Sequence, residues 1–170
     1  QKDDLVVHTS DKIIAIDPKN RTAHFDKAVA LDRSEKFDEC QVAYRAALKV
    51  DPSNPEIFYN LAALHIRVGK PKEASDYAKQ GLQIAPTNHG LWKIRGDSNF
   101  KAKDYEDAVA AYSKAVELNP ADKDSLAALG MSYTDLKRFE QGLMAYDRAL
   151  KLDPKDPGIW YQRAISLEWL

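Results

Sequence analysis

Apolar residues recur along the chain at helical spacing. In the stretch 55–67, Phe58, Leu61, Ala62 and His65 follow the spacing i, i+3, i+4, i+7, which places them on one face of a helix. Similar runs follow one another from residue 5 to the end of the chain. No stretch alternates apolar and polar residues with a period of two over the length of a strand. The pattern therefore predicts an all-α protein.

Five prolines divide these runs at a constant interval of 34 residues. They are Pro18, Pro52, Pro86, Pro120 and Pro154, and each follows an apolar, helix-like run. An interval that recurs four times indicates copies of one structural unit, so we expect a single array of two-helix repeats. The expected units are a half-repeat at 1–20 (a second helix), full repeats at 21–54, 55–88, 89–122 and 123–156, and a half-repeat at 157–170 (a first helix).

Small and large residues alternate at fixed positions of the repeat. Alanine or glycine occupies the eighth position of every unit, and large residues such as Trp92, Tyr105 and Tyr112 occupy the fourth, seventeenth and twenty-fourth. This alternation is typical of helices that pack closely. A leucine at Gly96 or Ala115 is therefore expected to cost about 1–3 kcal/mol through overpacking.

These positions resemble the signature of the tetratricopeptide repeat (TPR) family, which has a 34-residue period. The third unit carries Trp92, Gly96, Ala108, Tyr112 and Ala115 at the matching places, followed by a proline at 120. The resemblance implies a right-handed α-solenoid whose first helices line a concave groove that holds a peptide or a partner helix. By the family pattern, the partner-binding residues are Phe25, Val29, Tyr59, Asn60, Ala63, Ile66, Arg67, Lys93, Ile94, Asp97, Phe100, Lys101 and Met131.

The seventh position departs from the family pattern. The family usually has leucine there, whereas this chain has Lys27, Arg95 and Arg163 in the first, third and fifth units. We interpret these residues as apolar stems that keep the charged group at the surface or on a backbone carbonyl. A contact with a partner is the alternative.

Charge and composition limit the partner classes. The chain has 25 Lys and Arg against 26 Asp and Glu, so it lacks the excess of positive charge that binds nucleic acid. Its apolar runs are too short to span a membrane, so membrane insertion is not expected. A single cysteine, Cys40, suits a reducing compartment, and we expect a cytoplasmic location.

The sequence contains no recognisable catalytic, metal-binding or cofactor motif. It lacks paired cysteines, a His-Glu-x-x-His motif and a glycine-rich phosphate loop. Cys40 lies at a small-residue position, so we expect it to be buried and not to act as a nucleophile. We therefore expect no enzyme activity, no cofactor and no metal.

The leading hypothesis is a protein-binding scaffold. One subfamily binds the acidic C-terminal tail of heat-shock chaperones through Lys, Asn and Arg residues, but this chain has Asp97 where asparagine is needed, so we exclude that partner. Two alternatives remain open. The chain is a regulatory part of a larger enzyme, or it associates end to end through apolar residues such as Trp160, Leu167 and Trp169.

Overall fold

Each apolar run folds into a helix, and each proline of the 34-residue series lies two residues beyond a helix end, where a helix tolerates it. The computed structural model describes residues 2–170, which contain ten α-helices and no strand. The prediction of an all-α solenoid is confirmed. The helices are α1 Lys2–Ile16, α2 Arg21–Arg33, α3 Phe37–Val50, α4 Pro55–Arg67, α5 Pro71–Ile84, α6 His89–Lys101, α7 Tyr105–Leu118, α8 Lys123–Asp135, α9 Phe139–Leu152 and α10 Pro157–Glu168.

The even-numbered helices, which are the first helices of the units, all begin with the same kind of cap. The residue before each helix is Asn or Asp, and its side-chain oxygen accepts a hydrogen bond from a backbone N–H of the first turn. This bond satisfies an amide that has no partner inside the helix. The capping residues are Asn20, Asn54, Asn88, Asp122 and Asp156.

Tyrosines of the second helices pack against glycines of the first helices. A Cβ atom built on Gly96 would lie 2.6 Å from ring carbons of Tyr112, and one built on Gly130 would lie 2.5 Å from the ring of Tyr146. Both tyrosines are buried, with 2% and 0% of their surfaces exposed. The small residue at the eighth position therefore lets an aromatic ring lie directly on the helix backbone.

Tryptophans at the fourth position attach a first helix to the turn that precedes it. The indole N–H of Trp92 donates to the carbonyl oxygen of Pro86 at 2.8 Å, and Trp160 makes the same bond to Pro154 at 2.9 Å. The proline turn thus supplies an acceptor for the indole N–H, in addition to following the end of the previous helix.

The charged groups at the seventh position have defined partners within the chain. The guanidinium carbons of Arg95 and Arg163 lie 5.5 and 5.6 Å from the ring centroids of the fourth-position tryptophans. Arg163 also donates to Asp147 at 2.7 Å, and the ammonium of Lys27 donates to Asp11 at 2.6 Å. Of the two places expected for these groups, the surface agrees with the partly exposed side chains of Lys27 and Arg163. The partners of these groups are tryptophan rings of the same helix and carboxylates of the preceding helix.

Candidate peptide-binding groove

Successive first helices lie side by side. Helix α4 contacts α6, α6 contacts α8, and α8 contacts α10. Residues at the second, fifth, sixth, ninth, twelfth and thirteenth positions of each first helix lie on the face that we call the groove. The second helices form the opposite layer, because each packs against the first helices before and after it.

Most of the predicted apolar groove residues are accessible. Tyr59 is 41% exposed, and Ala63 and Ile66 on the same helix are half-buried. Phe100 and Met131 continue this half-buried apolar surface onto α6 and α8. Phe25 and Val29 are half-buried on α2, as is Asn60 on α4.

Ile94 differs from the other predicted groove residues. Only 6% of its surface is exposed, and it belongs to a core cluster with Phe58 and Leu91. Burying an aliphatic side chain is favourable, so a large apolar residue at this position turns toward the neighbouring repeat. Ile94 therefore stabilises the contact between α4 and α6 and is not available to a ligand.

Two of the predicted basic groove residues are paired within the chain. Arg67 donates to the carboxylate of Asp32, and its guanidinium carbon lies 5.2 Å from the ring centroid of Phe37. The ammonium of Lys93 lies 3.4 Å from a carboxylate oxygen of Asp122 and 3.4 Å from one of Asp124. These lysine and arginine side chains are held by carboxylates and are not free donors for an acidic ligand.

Asp97 occupies the middle of the groove on α6. The hydroxyl of Tyr112 donates to Asp97 Oδ1 at 2.7 Å. Partial burial raises the pKa of the Asp97 carboxyl above its usual value, against the hydrogen bond from Tyr112. Within residues 2–170, no lysine, arginine or histidine nitrogen lies within 4.0 Å of this carboxylate.

The residues that share the ninth position with Asp97 are all apolar. They stand on α2, α4, α8 and α10 and are half-buried, so they form a row across the groove on both sides of one carboxylate. All of them except Ile165 are among the predicted groove residues, but their arrangement as a row was not predicted. The repeat register alone would have revealed it. The row is Val29, Ala63, Asp97, Met131 and Ile165.

Small residues open a cavity between α8 and α10. Its volume is about 230 Å³, and it is lined by Ala127, Met131, Tyr146, Asp156, Gly158, Ile159 and Gln162. Gly158 and Gln162 were not among the predicted site residues. The signal for the cavity was the small residue at the second position of one repeat, Gly158, beside the small residue at the fifth position of its neighbour, Ala127. Gln162, at the sixth position, had no such signal.

Two larger cavities lie between neighbouring second helices. One of about 450 Å³ lies between α1 and α3 and includes Val42, which is 68% exposed. Another of about 530 Å³ lies between α7 and α9 and includes Met144, which is 61% exposed. Both residues stand at position twenty-two of their repeats, so these surfaces provide matched controls for tests of the groove.

Cys40 is fully buried, as expected, and its Sγ lies 3.6 Å from the carbonyl oxygen of Ala28. Burial raises the pKa of its thiol to about 11, so little thiolate forms at neutral pH. We expect a water-soluble disulfide reagent to modify the native chain much more slowly than the chain unfolded in guanidinium, as followed by absorbance. Equal rates in the two states would contradict the burial of this thiol.

Among residues 2–170, no three His, Cys, Asp or Glu side chains are grouped so that they could hold a metal ion. A separate property of the same residues is that none of their helices has the length and hydrophobicity needed to cross a bilayer.

Sequence models of one family match most of this repeat pattern. Models described as tetratricopeptide repeat match residues 94–157 and 55–88, and a model described as TPR repeat matches residues 33–69. The chain belongs to the tetratricopeptide repeat family. No curated protein matches this TPR chain in sequence.

Several solved TPR structures share the fold. The MamA protein is 23% identical over 88% of this chain and 81% of its own, with a TM-score of 0.84. YrrB, described as a TPR protein with an unusual peptide-binding site, is 18% identical over 96% of this chain and 84% of its own, with a TM-score of 0.85. The first TPR of Spaghetti (RPAP3), bound to the HSP90 peptide SRMEEVD, is 22% identical over 67% of this chain and 90% of its own, with a TM-score of 0.65.

Proposed function

We propose that this TPR array is a non-enzymatic scaffold that binds a peptide or an amphipathic helix of a partner protein in its groove. The observation that carries the proposal is the accessible apolar surface that runs across neighbouring first helices, including Tyr59, Ile66, Phe100 and Met131. Apolar side chains that anchor an extended or helical segment are the usual means by which such grooves bind. The peptide sites of YrrB and of the first TPR of Spaghetti support this use of the fold.

The charges of the groove argue against an acidic chaperone tail as the partner. The peptide bound to the Spaghetti repeat, SRMEEVD, carries adjacent carboxylates. In this chain such a peptide would meet Asp97, while the ammonium of Lys93 is already shared between Asp122 and Asp124. Like charges in a partly buried site repel. We therefore propose that the partner segment belongs to another class.

A pull-down with matched variants tests the location of the site. The full chain serves as bait, and each bound protein is compared between wild type, Tyr59→Ala and Ile66→Ala. We expect both variants to lose the same protein, because each removes part of the apolar surface that the partner covers. Val42→Ala and Met144→Ala, on the second-helix layer, are expected to retain it.

The control variants make the outcome decisive. A protein that is lost with Val42→Ala or Met144→Ala but kept with Tyr59→Ala would place binding on the second helices and contradict the groove. Circular dichroism of each variant establishes that the loss does not come from unfolding. A bound protein that all four variants retain would also contradict the proposal.

A further inference from the structure

We infer that the groove selects a partner segment with one lysine or arginine between apolar residues, and that Asp97 binds this cation. The inference rests on the proposed groove function and adds the chemistry of the partner. It starts from the row of ninth-position residues, in which a single acid stands at the centre of an otherwise apolar surface.

The packing of α6 against α7 holds the Asp97 carboxylate in place. Gly96 lets the ring of Tyr112 lie on the backbone of α6, and the hydroxyl of Tyr112 then reaches Asp97 Oδ1 at 2.7 Å. A fixed acceptor loses little freedom when it binds, so it discriminates between ligands better than a mobile surface carboxylate does.

No cation of the described chain forms an ion pair with Asp97. Burial raises the pKa of its carboxyl, and the attraction of the more distant Lys93 and Lys101 offsets this only in part. Lys93, one turn before it, is bound at 3.4 Å each to two carboxylates at the start of α8, those of the N-cap Asp122 and of Asp124. Lys101, one turn after it, is exposed and makes no ion pair in residues 2–170. A partner ammonium or guanidinium would therefore form a charge-assisted hydrogen bond in a partly desolvated site, where such bonds are strongest.

Unpaired acids outnumber unpaired basic residues on the groove face. Asp26, Glu56 and Asp135 lie on this face and make no ion pair in the part of the chain that the structure describes, whereas the only groove cations in that condition are Arg33 and Lys101. The groove thus has an excess of unpaired acids. This excess favours a basic segment over an acidic one.

The apolar neighbours of Asp97 define the spacing of the partner residues. Packed helices lie about 8–10 Å apart, so ninth-position side chains of adjacent repeats are separated by roughly that distance. An extended segment advances about 3.3 Å per residue, and three residues therefore cover one repeat. The favoured pattern is apolar-x-x-Lys/Arg-x-x-apolar, with Ala63 and Met131 beside the two apolar side chains and the 230 Å³ cavity beyond Met131.

A random 12-residue peptide library displayed on phage is the probe. The full 170-residue chain is immobilised and the enriched peptides are sequenced. We expect them to carry a lysine or arginine with apolar residues about three positions away on both sides. The affinity of synthetic, labelled versions is then measured by fluorescence anisotropy with wild type and with Asp97→Asn.

Asp97→Asn in the protein and lysine to methionine in the peptide form a double-mutant cycle, which measures the interaction between these two side chains. Asp97→Asn keeps an acceptor for the Tyr112 hydroxyl and removes only the charge, and we expect it to weaken binding about tenfold or more. Replacing the peptide lysine by methionine should weaken binding to wild type by a similar factor and have little further effect on Asp97→Asn. Asp76→Asn is the matched control, since this exposed carboxylate stands at position twenty-two on the second helix α5, outside the groove, and should leave the affinity nearly unchanged.

The results separate this inference from the groove proposal. Peptides that lose affinity with Tyr59→Ala and Ile66→Ala but lack a basic residue, or are insensitive to Asp97→Asn, overturn the inference and leave the groove proposal intact. Peptides that bind all groove variants as tightly as wild type contradict both. A library that yields no enriched peptide also counts against both.

Discussion

Replacing Gly96 by leucine is expected to lower the free energy of unfolding by about 3 kcal/mol, at the upper end of the cost of overpacking. Even a single Cβ atom at this position would lie 2.6 Å from the ring of Tyr112, which is closer than carbon atoms approach in folded proteins. A leucine would force α6 and α7 apart and displace the Tyr112 hydroxyl from Asp97. For a chain of this size the melting temperature should fall by roughly 2–4 °C per kcal/mol.

Thermal and guanidinium melts of Gly96→Leu, Gly96→Ala and Gly158→Ala provide the comparison. The first repeat has Ala28 at the equivalent position opposite the buried Tyr44, so a single methyl group is compatible with the helix pair and Gly96→Ala should cost less than Gly96→Leu. A Cβ on Gly158 would meet only an oxygen of its own N-cap at 3.3 Å, so Gly158→Ala should be nearly neutral. An unchanged melt for Gly96→Leu would refute the close approach of α6 and α7.

Replacing Tyr146 by alanine is expected to cost about 3–5 kcal/mol, as for other large aromatic residues removed from a core. Tyr146 is 0% exposed, and its ring fills the space above Gly130. Its hydroxyl lies 3.4 Å from Thr134 Oγ1, which in turn lies 2.9 Å from Ser166 Oγ. The side chain therefore connects α8, α9 and α10, and its removal leaves a cavity that spans all three.

Tyr146→Phe separates the ring from the hydroxyl. This variant keeps the packing and should cost only about 1 kcal/mol for the lost hydrogen bond. Because Tyr146 also lines the cavity between α8 and α10, Tyr146→Ala should weaken the binding of peptides that occupy this cavity. Equal losses of stability in the two variants would show that the hydroxyl, and not the ring, supports the three helices.

Several features were predictable from the sequence because they depend on local periodicity. The eighth-position glycines and the twenty-fourth-position tyrosines were identified from their 34-residue recurrence, and the structure brings Gly96 to Tyr112 and Gly130 to Tyr146. The Asn and Asp caps recur with the same interval and were equally predictable from the sequence, because these residues favour helix N-termini.

Other features had no local signal. In the turn between the two helices of a repeat, one residue has a left-handed backbone conformation. Its φ is 73° at Gly69, 57° at Glu35 and 63° at Lys103. Glycine adopts this conformation without strain, whereas Glu and Lys do so only where the surrounding structure requires it. The packing of the two helices imposes this conformation on the turn. A prediction based on glycine would identify the turn only at Gly69.

The predicted groove set shows the same limit. Ile94 shares its repeat position with Asn60 and Ala128, yet it is buried whereas those two residues are only half-buried. The sixth position lies at the border between the groove and the contact with the neighbouring repeat. A large apolar side chain there gains more by packing on Phe58 and Leu91 than by facing water.

The sequence by itself determined the helical class, the 34-residue register and the side of each helix that packs, because these depend on residue types at fixed local spacing. Only the tertiary structure decided which charges are free. The partners are far apart in the sequence. Arg67 pairs with Asp32 across 35 residues and Lys93 with Asp122 across 29 residues, and the hydroxyl of Tyr112 donates to Asp97 across 15 residues. Periodicity shows which residues share a face, but an ion pair depends on distances of a few ångströms between helices, and only the folded chain sets those distances.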